Sequence, residues 1–446
     1  MASLAKGQRA YCNWDEDATT MGVEAARLCL GSRTRASTER LAFCTTTSSF
    51  ADVSAAITSA IALGLAPELE VLDLGGSHRA GLAGLANAFG SPGRQNLVIA
   101  SERLRARPAS AQEMQYGAGA AAFLVSDKNI AAEFIGYASR SALFIERFRA
   151  TENNHDYGWE ERWVRDEGYL KLGVAVIREA LAKAHVKPSQ VAKFVFSTVS
   201  AGAAAPVARA LGIPPEAIAD PLFDNCGFTG AAHPLLMLTD ALDKAAPGDV
   251  LVVASFSEGG EVVILRATER LGEGRPPRSL ADTLKAGVVD SSYLRMASSY
   301  EEIDPDWGMR AERDTKTALT EQYRSAEQIY GFEAGKCGSC GAVQFPQLAF
   351  CVNCAASSKD FRPVPLADEA AKILTYTADS LTYHPSPPLY VGFAQFDNGA
   401  RVLMEFVDVN PETLAVGMPL TFRFRIKERD KQRGYIRYFW KAAPTA

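Results

Sequence analysis

The sequence predicts an α/β protein built from two similar halves, followed by a small cysteine-bearing module and a five-stranded β-barrel. Three observations lead there. Apolar strands alternate with helical patterns over residues 10–265, as in a parallel or mixed sheet covered by helices. The order then repeats, because 13 positions separate Leu30 from Phe43 and 13 separate Leu181 from Phe194, each time across a helix, a polar connection and a strand. From about Gln322 the pattern changes to two C-x2-C knuckles and five short β runs with turn residues between them.

In the first half, DEDATTMGVEAARLCL (residues 15–30) places acidic residues before an apolar periodicity, which reads as a helix with its negative groups at the positive end. Leu41–Thr45 reads as a buried strand and Val53–Leu63 as a helix. Glu70–Ala86, EVLDLGGSHRAGLAGLA, is the central stretch: an apolar strand, a Gly-Gly-Ser-His turn and a small-residue helix. Such a turn lifts one side chain to the head of the sheet and aims helix N–H groups at the same point. Here that side chain is His78. Strands follow at Asn96–Ser101 and within Gly117–Ser126, whose glycines and alanines allow close backbone approach.

Phe144–Gly173 mixes charges with Tyr157, Trp159, Trp163 and Tyr169, which suits either a lid over a cleft or a solvated excursion. In the second half, Val174–Thr198 gives helix, connection and strand; DNCGFTG (224–230) opens a helix over about 232–245; and Val250–Ala254 is a buried strand leading into Glu258-Gly259-Gly260. Residues 267–325 are charged, broken by prolines, and read as a linker. The five β runs are LTYTA, LYVGFAQF, ARVLMEFVDV, PLTFRFRIK and YIRYFWKA.

At 446 residues the chain has room for two or three domains. Its net charge of −5 provides no basic footprint, so no nucleic-acid partner is expected; the basic, aromatic C-terminal run is interrupted by Glu428 and Asp430 and reads as one face of a barrel. No run of about 18 apolar residues and no basic-then-apolar leader occurs, so neither a membrane span nor secretion is expected and the localisation is read as cytoplasmic. Cys337, Cys340, Cys351 and Cys354 form C-x2-C-x10-C-x2-C, the pattern of a closed structural zinc site with four thiolates. The other cysteines are scattered and read as free thiols in a reducing compartment.

The Glu70–Ala86 turn, DNCGFTG and the Glu258–Gly260 turn together resemble the thiolase superfamily, most closely its hydroxymethylglutaryl-CoA synthase branch. The ribbon and barrel are similar to the rubredoxin-like zinc ribbon and OB-fold module that accompanies thiolase-type enzymes. The resemblance implies a five-layered α-β-α-β-α fold of two halves, 1–143 and 144–272, with the lid at the start of the second. A linker over 273–325, a zinc ribbon over 326–360 and an OB-fold over 361–446 follow. The family's first strand is missing, so either Met1 is an internal start or the first sheet half is incomplete.

Carried over position by position, the family's nucleophilic cysteine falls on His78, its acid glutamate on Thr46 and its catalytic histidine on Ser197. Asn225 matches the asparagine that holds a thioester carbonyl or a water, and Gly259 and Gly260 match the oxyanion turn. His78 would then serve as an acid–base group or merely fill the old cysteine site. Cys226 could supply a displaced thiol, or be a small buried residue. His233 would face the cleft or cap its helix. The expected function is an acyl-CoA-dependent enzyme that makes or cleaves a carbon–carbon bond next to a thioester, of thiolase, acyltransferase or retro-aldolase type. Coenzyme A would carry the substrate, and the assembly would be a homodimer or a complex with a thiolase-like subunit. The alternative is a non-catalytic CoA-binding or scaffolding subunit.

Overall fold

The computed structural model describes residues 6–31, 33, 35–306, 316 and 318–445, so part of the expected linker, 307–315 and 317, lies outside the described residues. The chain divides into two compact units. One comprises the residues through Asn13, Asp17–Ile57 and Ala66–Ile303; the other comprises Trp14–Glu16, Thr58–Leu65 and the chain from Asp304 onward.

In the first unit, apart from the end of α2 from Thr58 onward, the chain runs α1 (Ala18–Leu30), β1 (Arg40–Cys44), α2 (Ala55–Ala62), β2 (Glu70–Leu74), α3 (Ala80–Phe89), β3 (Asn96–Arg103) and β4 (Ala118–Val125). These strands form a sheet in the order β2-β1-β3-β4, parallel across the first three and antiparallel at β4. The second half contributes β5 (Ala132–Ser141), the hairpin β6 (Arg147–Phe148) and β7 (Tyr157–Gly158), and α4 (Glu161–Trp163). A π-helical stretch, Val164–Gly173, then runs directly into α5 (Val174–Lys183). After it come β8 (Val191–Ser197), α6 (Ala204–Leu211), α7 (His233–Asp243), β9 (Val250–Phe256) and β10 (Gly259–Ala267). The second sheet has the order β5-β10-β9-β8, with β8 and β9 parallel and β10 antiparallel to both its neighbours.

Layering follows from which helix faces are apolar. Helix α1 covers β3 and β4, α5 covers β5 and β10, and α3 and α7 lie together between the sheets, which makes five layers. A helix buried on both sides must be small or apolar all round. Accordingly, Leu235–Leu238 of α7 are all buried. In α3 a Cβ at Gly81 would strike the Ala231 carbonyl, and one at Gly84 would sit 2.5 Å from the Cys44 sulfur. This is the thiolase-like fold. Of the expected linker, Leu280–Lys285 and Tyr293–Ser299 are helical, and Tyr300 is buried against Cys12.

Of the strands in the two four-stranded sheets, two carry no clear signal in the sequence. Strand β5 is mostly exposed, and its mixed side chains lack a buried run. Strand β10 begins inside the glycine turn, so the turn signal masks the hairpin that joins it to β9.

In the second unit, β11 (Glu333–Lys336), β12 (Val343–Gln344) and β13 (Arg362–Pro365) form the ribbon sheet. Strands β14 (Ala371–Asp379), β15 (Leu389–Phe396), β16 (Arg401–Phe406), β17 (Pro419–Asp430) and β18 (Tyr435–Pro444) close a barrel in the order β14-β15-β16-β18-β17. The aromatic residues of its basic stretch, Phe422, Phe424, Tyr438 and Trp440, point into the barrel core, where Phe332 stacks on Trp440 at 6.1 Å. Among the described residues no helix is long and apolar enough to cross a membrane.

Candidate active site

The carboxyl ends of β2, β1 and β3 stand side by side, with Leu74 and Ala100 flanking Cys44. Ligands of open α/β sheets collect at such edges. The chain leaves β2 through Gly75, Gly76 at φ +82° and Ser77, then delivers His78, which is buried, just before α3. Two residues beyond Cys44 is Thr46. Two residues beyond Ala100 is Glu102, whose carboxyl the Thr46 N–H meets.

The hairpin of the expected lid meets His78. Arg147 Nε donates to His78 Nδ1 at 2.9 Å, and the same guanidinium pairs with Asp156 at 3.0 Å. Asp156 also accepts from the Tyr116 hydroxyl at 2.9 Å, and burial, with the neighbouring Asp156, raises the Tyr116 pKa. Burial first, then the charges of Arg147 and Arg149, hold the His78 pKa well below its ordinary 6.5, so the ring is neutral. A neutral imidazole whose Nδ1 accepts must carry its proton on Nε2, and this hydrogen bond assigns the tautomer. His78 Nε2 is buried with no hydrogen-bond partner among the described residues. The side chain therefore presents an unspent N–H and no free lone pair.

Glu102, fully buried, accepts from the Thr46 N–H at 2.6 Å and from the Thr47 hydroxyl at 2.5 Å. Burial raises its pKa, and those hydrogen bonds oppose the rise. Gly230 lies between Glu102 and His78. A Cβ there would stand 3.3 Å from His78 Nε2, 3.1 Å from Glu102 Cγ and 3.3 Å from its Cδ, and the backbone is left-handed at φ +52°. The missing side chain lets Glu102 and His78 pack against the same point, closer than a methyl group there would allow without a shift.

His233, at the start of α7, is completely buried. Its Nδ1 lies 3.3 Å from the donating Thr229 N–H, its ring packs 5.0 Å from Phe228, and burial lowers its pKa to about 4 against the Pro221 carbonyl. That is a core histidine held at Nδ1, with Nε2 buried. Thr46 touches the site through its backbone, while its buried Oγ1 has no partner among the described residues. Ser197 is buried at the end of β8, opposite Ser255. Asn225 is exposed on its turn. Cys226 is buried, its S–H directed at the Leu222 and Gly227 carbonyls, and burial pushes its thiol up to about 12.

Gly259 and Gly260 are paired in the β10 ladder. Gly259, at φ +111°, packs so tightly that a Cβ would collide with the Arg140 carbonyl. That carbonyl accepts from Arg79 at 3.4 Å, which places the glycine turn beside the His78 turn. The buried Glu146 ties it to the hairpin by accepting from the Glu258 N–H at 3.3 Å.

Sequence reasoning missed Glu102, Arg147, Asp156 and Tyr116. A signal existed for Glu102 alone: NLVIASER continues the buried run into a carboxylate level with Thr46. Nothing in the lid marked which of its charges turns inward.

The four ribbon sulfurs lie within 4.8 Å of one another, with Cys337–Cys354 at 3.7 Å and Cys340–Cys351 at 3.6 Å. Thiolates about 2.3 Å from one zinc sit about 3.8 Å apart on a tetrahedron, so the set fits that ion. The two knuckles repeat one turn: Cys337 and Cys351 each accept from the residue four positions on, Gly341 at φ +76° and Ala355 at φ +59°.

Two family models match the chain. Residues 181–265 match the 3-oxoacyl-[acyl-carrier-protein] synthase III C-terminal family. Residues 324–360 match the ChsH2 rubredoxin-like zinc ribbon domain. Among curated relatives, hydroxymethylglutaryl-CoA synthase of Pyrococcus furiosus is 28% identical over 270 residues, covering 58% of this chain and 76% of the relative. The same enzyme from Aeropyrum pernix is 29% identical over 283 residues, covering 60% and 77%. Among solved structures, hydroxymethylglutaryl-CoA synthase complexed with CoA superposes with a TM-score of 0.55 at 17% identity, over 68% of this chain and 82% of that one. For 3-oxoacyl-[acyl-carrier-protein] synthase III from Aquifex aeolicus the values are 0.51, 21%, 56% and 85%.

Proposed function

We propose that this chain, a thiolase-like domain of the 3-oxoacyl synthase III and hydroxymethylglutaryl-CoA synthase type joined to a rubredoxin-like zinc ribbon, works on acyl-CoA thioesters without an acyl-enzyme. Its chemistry is the making or breaking of a carbon–carbon bond next to the thioester by polarisation and proton transfer, in the aldol or retro-aldol sense.

The observation that carries the reading is the Arg147–His78 hydrogen bond. With the Nδ1 lone pair taken and Nε2 protonated, His78 is a poor nucleophile and a good electrophile. Its bare N–H suits a thioester carbonyl that becomes an enolate oxygen. A preorganised donor aimed at a developing oxyanion is worth about 10²–10³ in rate. The covalent route lacks its nucleophile, because Cys226 is buried with its thiol near 12 and carries essentially no thiolate at neutral pH. Thiolysis also needs a second thiol as co-reactant; aldol cleavage needs only an oxyanion donor and a proton carrier. CoA as the carrier is drawn from the relatives, one of which was solved with CoA. The ribbon cysteines would hold zinc as a structural ion, since four thiolates leave no open position. The open edge of β2, next to β1 in the sheet, supports pairing with a second copy or a thiolase-like subunit.

The test is incubation of the purified chain with a panel of 3-hydroxyacyl-CoAs, and separately with 3-oxoacyl-CoAs plus free CoA, read by mass spectrometry beside His78→Ala. We expect a released carbonyl compound and a shortened acyl-CoA from the hydroxy series, reduced at least a hundredfold in the variant. Products from the 3-oxo series alone would replace the aldol reading with a thiolytic one. Tight CoA binding with no product would leave a scaffolding subunit.

A further inference from the structure

We propose that Glu102 is the catalytic acid–base group of this site: it takes the hydroxyl proton of a 3-hydroxyacyl thioester and returns it to the α-carbon. The inference rests on the reading of His78 as an oxyanion donor and adds the proton carrier that reading lacks.

Geometry is the first support. Parallel pairing ends with Cys44 opposite Ala100, and just beyond it the chain after β1 turns back onto the Glu102 side chain of β3. Thr46 has no ionisable side chain, and its backbone N–H binds the Glu102 carboxyl at 2.6 Å. The carboxyl thus reaches position 46 from the neighbouring strand. It also lies close to the unpartnered His78 N–H, with Glu102 Cδ and His78 Nε2 each 3.3 Å from the point where a Cβ of Gly230 would stand.

Chemistry is the second. Glu102 uses one lone pair on each oxygen, toward the Thr46 N–H and the Thr47 hydroxyl, and each oxygen keeps another. Burial raises its pKa above the ordinary carboxylate value, against the Thr47 and Thr46 hydrogen bonds, which makes the carboxyl a stronger base than a solvated one. Of the two buried carboxylates flanking Arg147 on its hairpin, Asp156 is paired with Arg147 and Glu146 holds the Glu258 N–H, so neither is available for transfer.

The step balances without a further reactant. The Glu102 carboxylate removes the β-hydroxyl proton, and the oxygen lone pair forms the new carbonyl. The Cα–Cβ bond breaks, its electron pair becoming the enolate whose oxygen the His78 N–H holds. The protonated Glu102 then gives its proton to Cα, leaving a shortened acyl thioester and an aldehyde or ketone.

The experiment compares wild type, Glu102→Gln, Glu102→Asp and Thr47→Val, each first checked for an unchanged unfolding transition. Cleavage of the 3-hydroxyacyl-CoA panel in D2O is followed by mass spectrometry, as is deuterium uptake at the α-carbon of butyryl-CoA. Wild type should deposit one deuterium at Cα of the shortened product. Glu102→Gln should lose at least a hundredfold in both cleavage and exchange, and Glu102→Asp should recover part of it. Removing the Thr47 hydroxyl takes away a bond that stabilises the carboxylate, so in Thr47→Val the rising limb of the pH–rate profile should move to higher pH. Wild-type rates in Glu102→Gln, or an unmoved limb in Thr47→Val, would overturn this proposal alone. Neither cleavage nor exchange in the wild type would overturn the reading beneath it and this one together.

Discussion

Arg147 and His78, 69 residues apart in sequence, meet through one hydrogen bond of 2.9 Å that decides which nitrogen of the imidazole faces the substrate. The guanidinium cannot lose its proton, so it cannot accept from His78. Asp156 and Tyr116 hold it in turn. Four side chains on three segments thereby define one N–H.

Arg147→Met should free Nδ1 and remove a charge that opposes protonation of His78. Burial continues to depress the pKa, but less of the depression remains. The wild type keeps His78 neutral well below pH 6.5, so its rate should show no limb from this group near neutrality. In Arg147→Met an acidic limb should move up toward neutral pH, with a loss of tenfold or more at the optimum. Nitrogen NMR of the labelled ring should find Nε2 protonated in the wild type and mixed tautomers in the variant.

Neutral buried histidines also set how stability responds to pH. The folded pKa values of His78 and His233 lie below the unfolded value near 6.5, so their contribution is complete above that pH and shrinks as pH falls below it. Urea unfolding should lose roughly one kcal/mol per histidine for each pH unit between about 6.5 and the folded pKa. His233→Phe should flatten part of that slope.

Gly230→Ala puts a methyl group 3.3 Å from His78 Nε2 and 3.1 Å from Glu102 Cγ, at a left-handed φ of +52°. The backbone strain costs roughly 1–2 kcal/mol. The catalytic loss should be larger, at least a hundredfold, and steady-state rates beside thermal unfolding separate the two.

Cys226→Ala should leave turnover within a few-fold of wild type, because the thiol near 12 is directed at backbone carbonyls. Iodoacetamide at pH 7.5 should modify Cys226 and Cys44 only after unfolding, since burial also pushes Cys44 up to about 12. Rapid inactivation with a label on Cys226 would contradict the placement.

The ribbon should bind one zinc per chain, measured by metal analysis, and Cys340→Ser should lose it and lower the ribbon's stability. Ala355 holds φ +59° where the matching residue of the first knuckle is Gly341. Ala355→Gly should therefore raise the ribbon's stability by about 1 kcal/mol and slow zinc loss to a chelator.

Much of this protein is local and was legible in the chain. The knuckles declare four thiolates because metal geometry demands that spacing. The five barrel strands announce themselves by alternation, and EVLDLGGSH presents a strand, a left-handed glycine and one lifted side chain. Those signals depend on near neighbours, and they brought His78 to the head of the sheet. What His78 can do was settled elsewhere. Its tautomer belongs to Arg147, its charge to burial, and the nearby carboxyl arrives from β3 through strand pairing that no linear spacing encodes. Likewise, Asn225 and Cys226 are adjacent in sequence, yet one is exposed and the other sealed against carbonyls. Sequence determines which groups a turn can present; proton position and dielectric depend on atoms brought within about 3–6 Å from distant segments, and only the packed structure decides those.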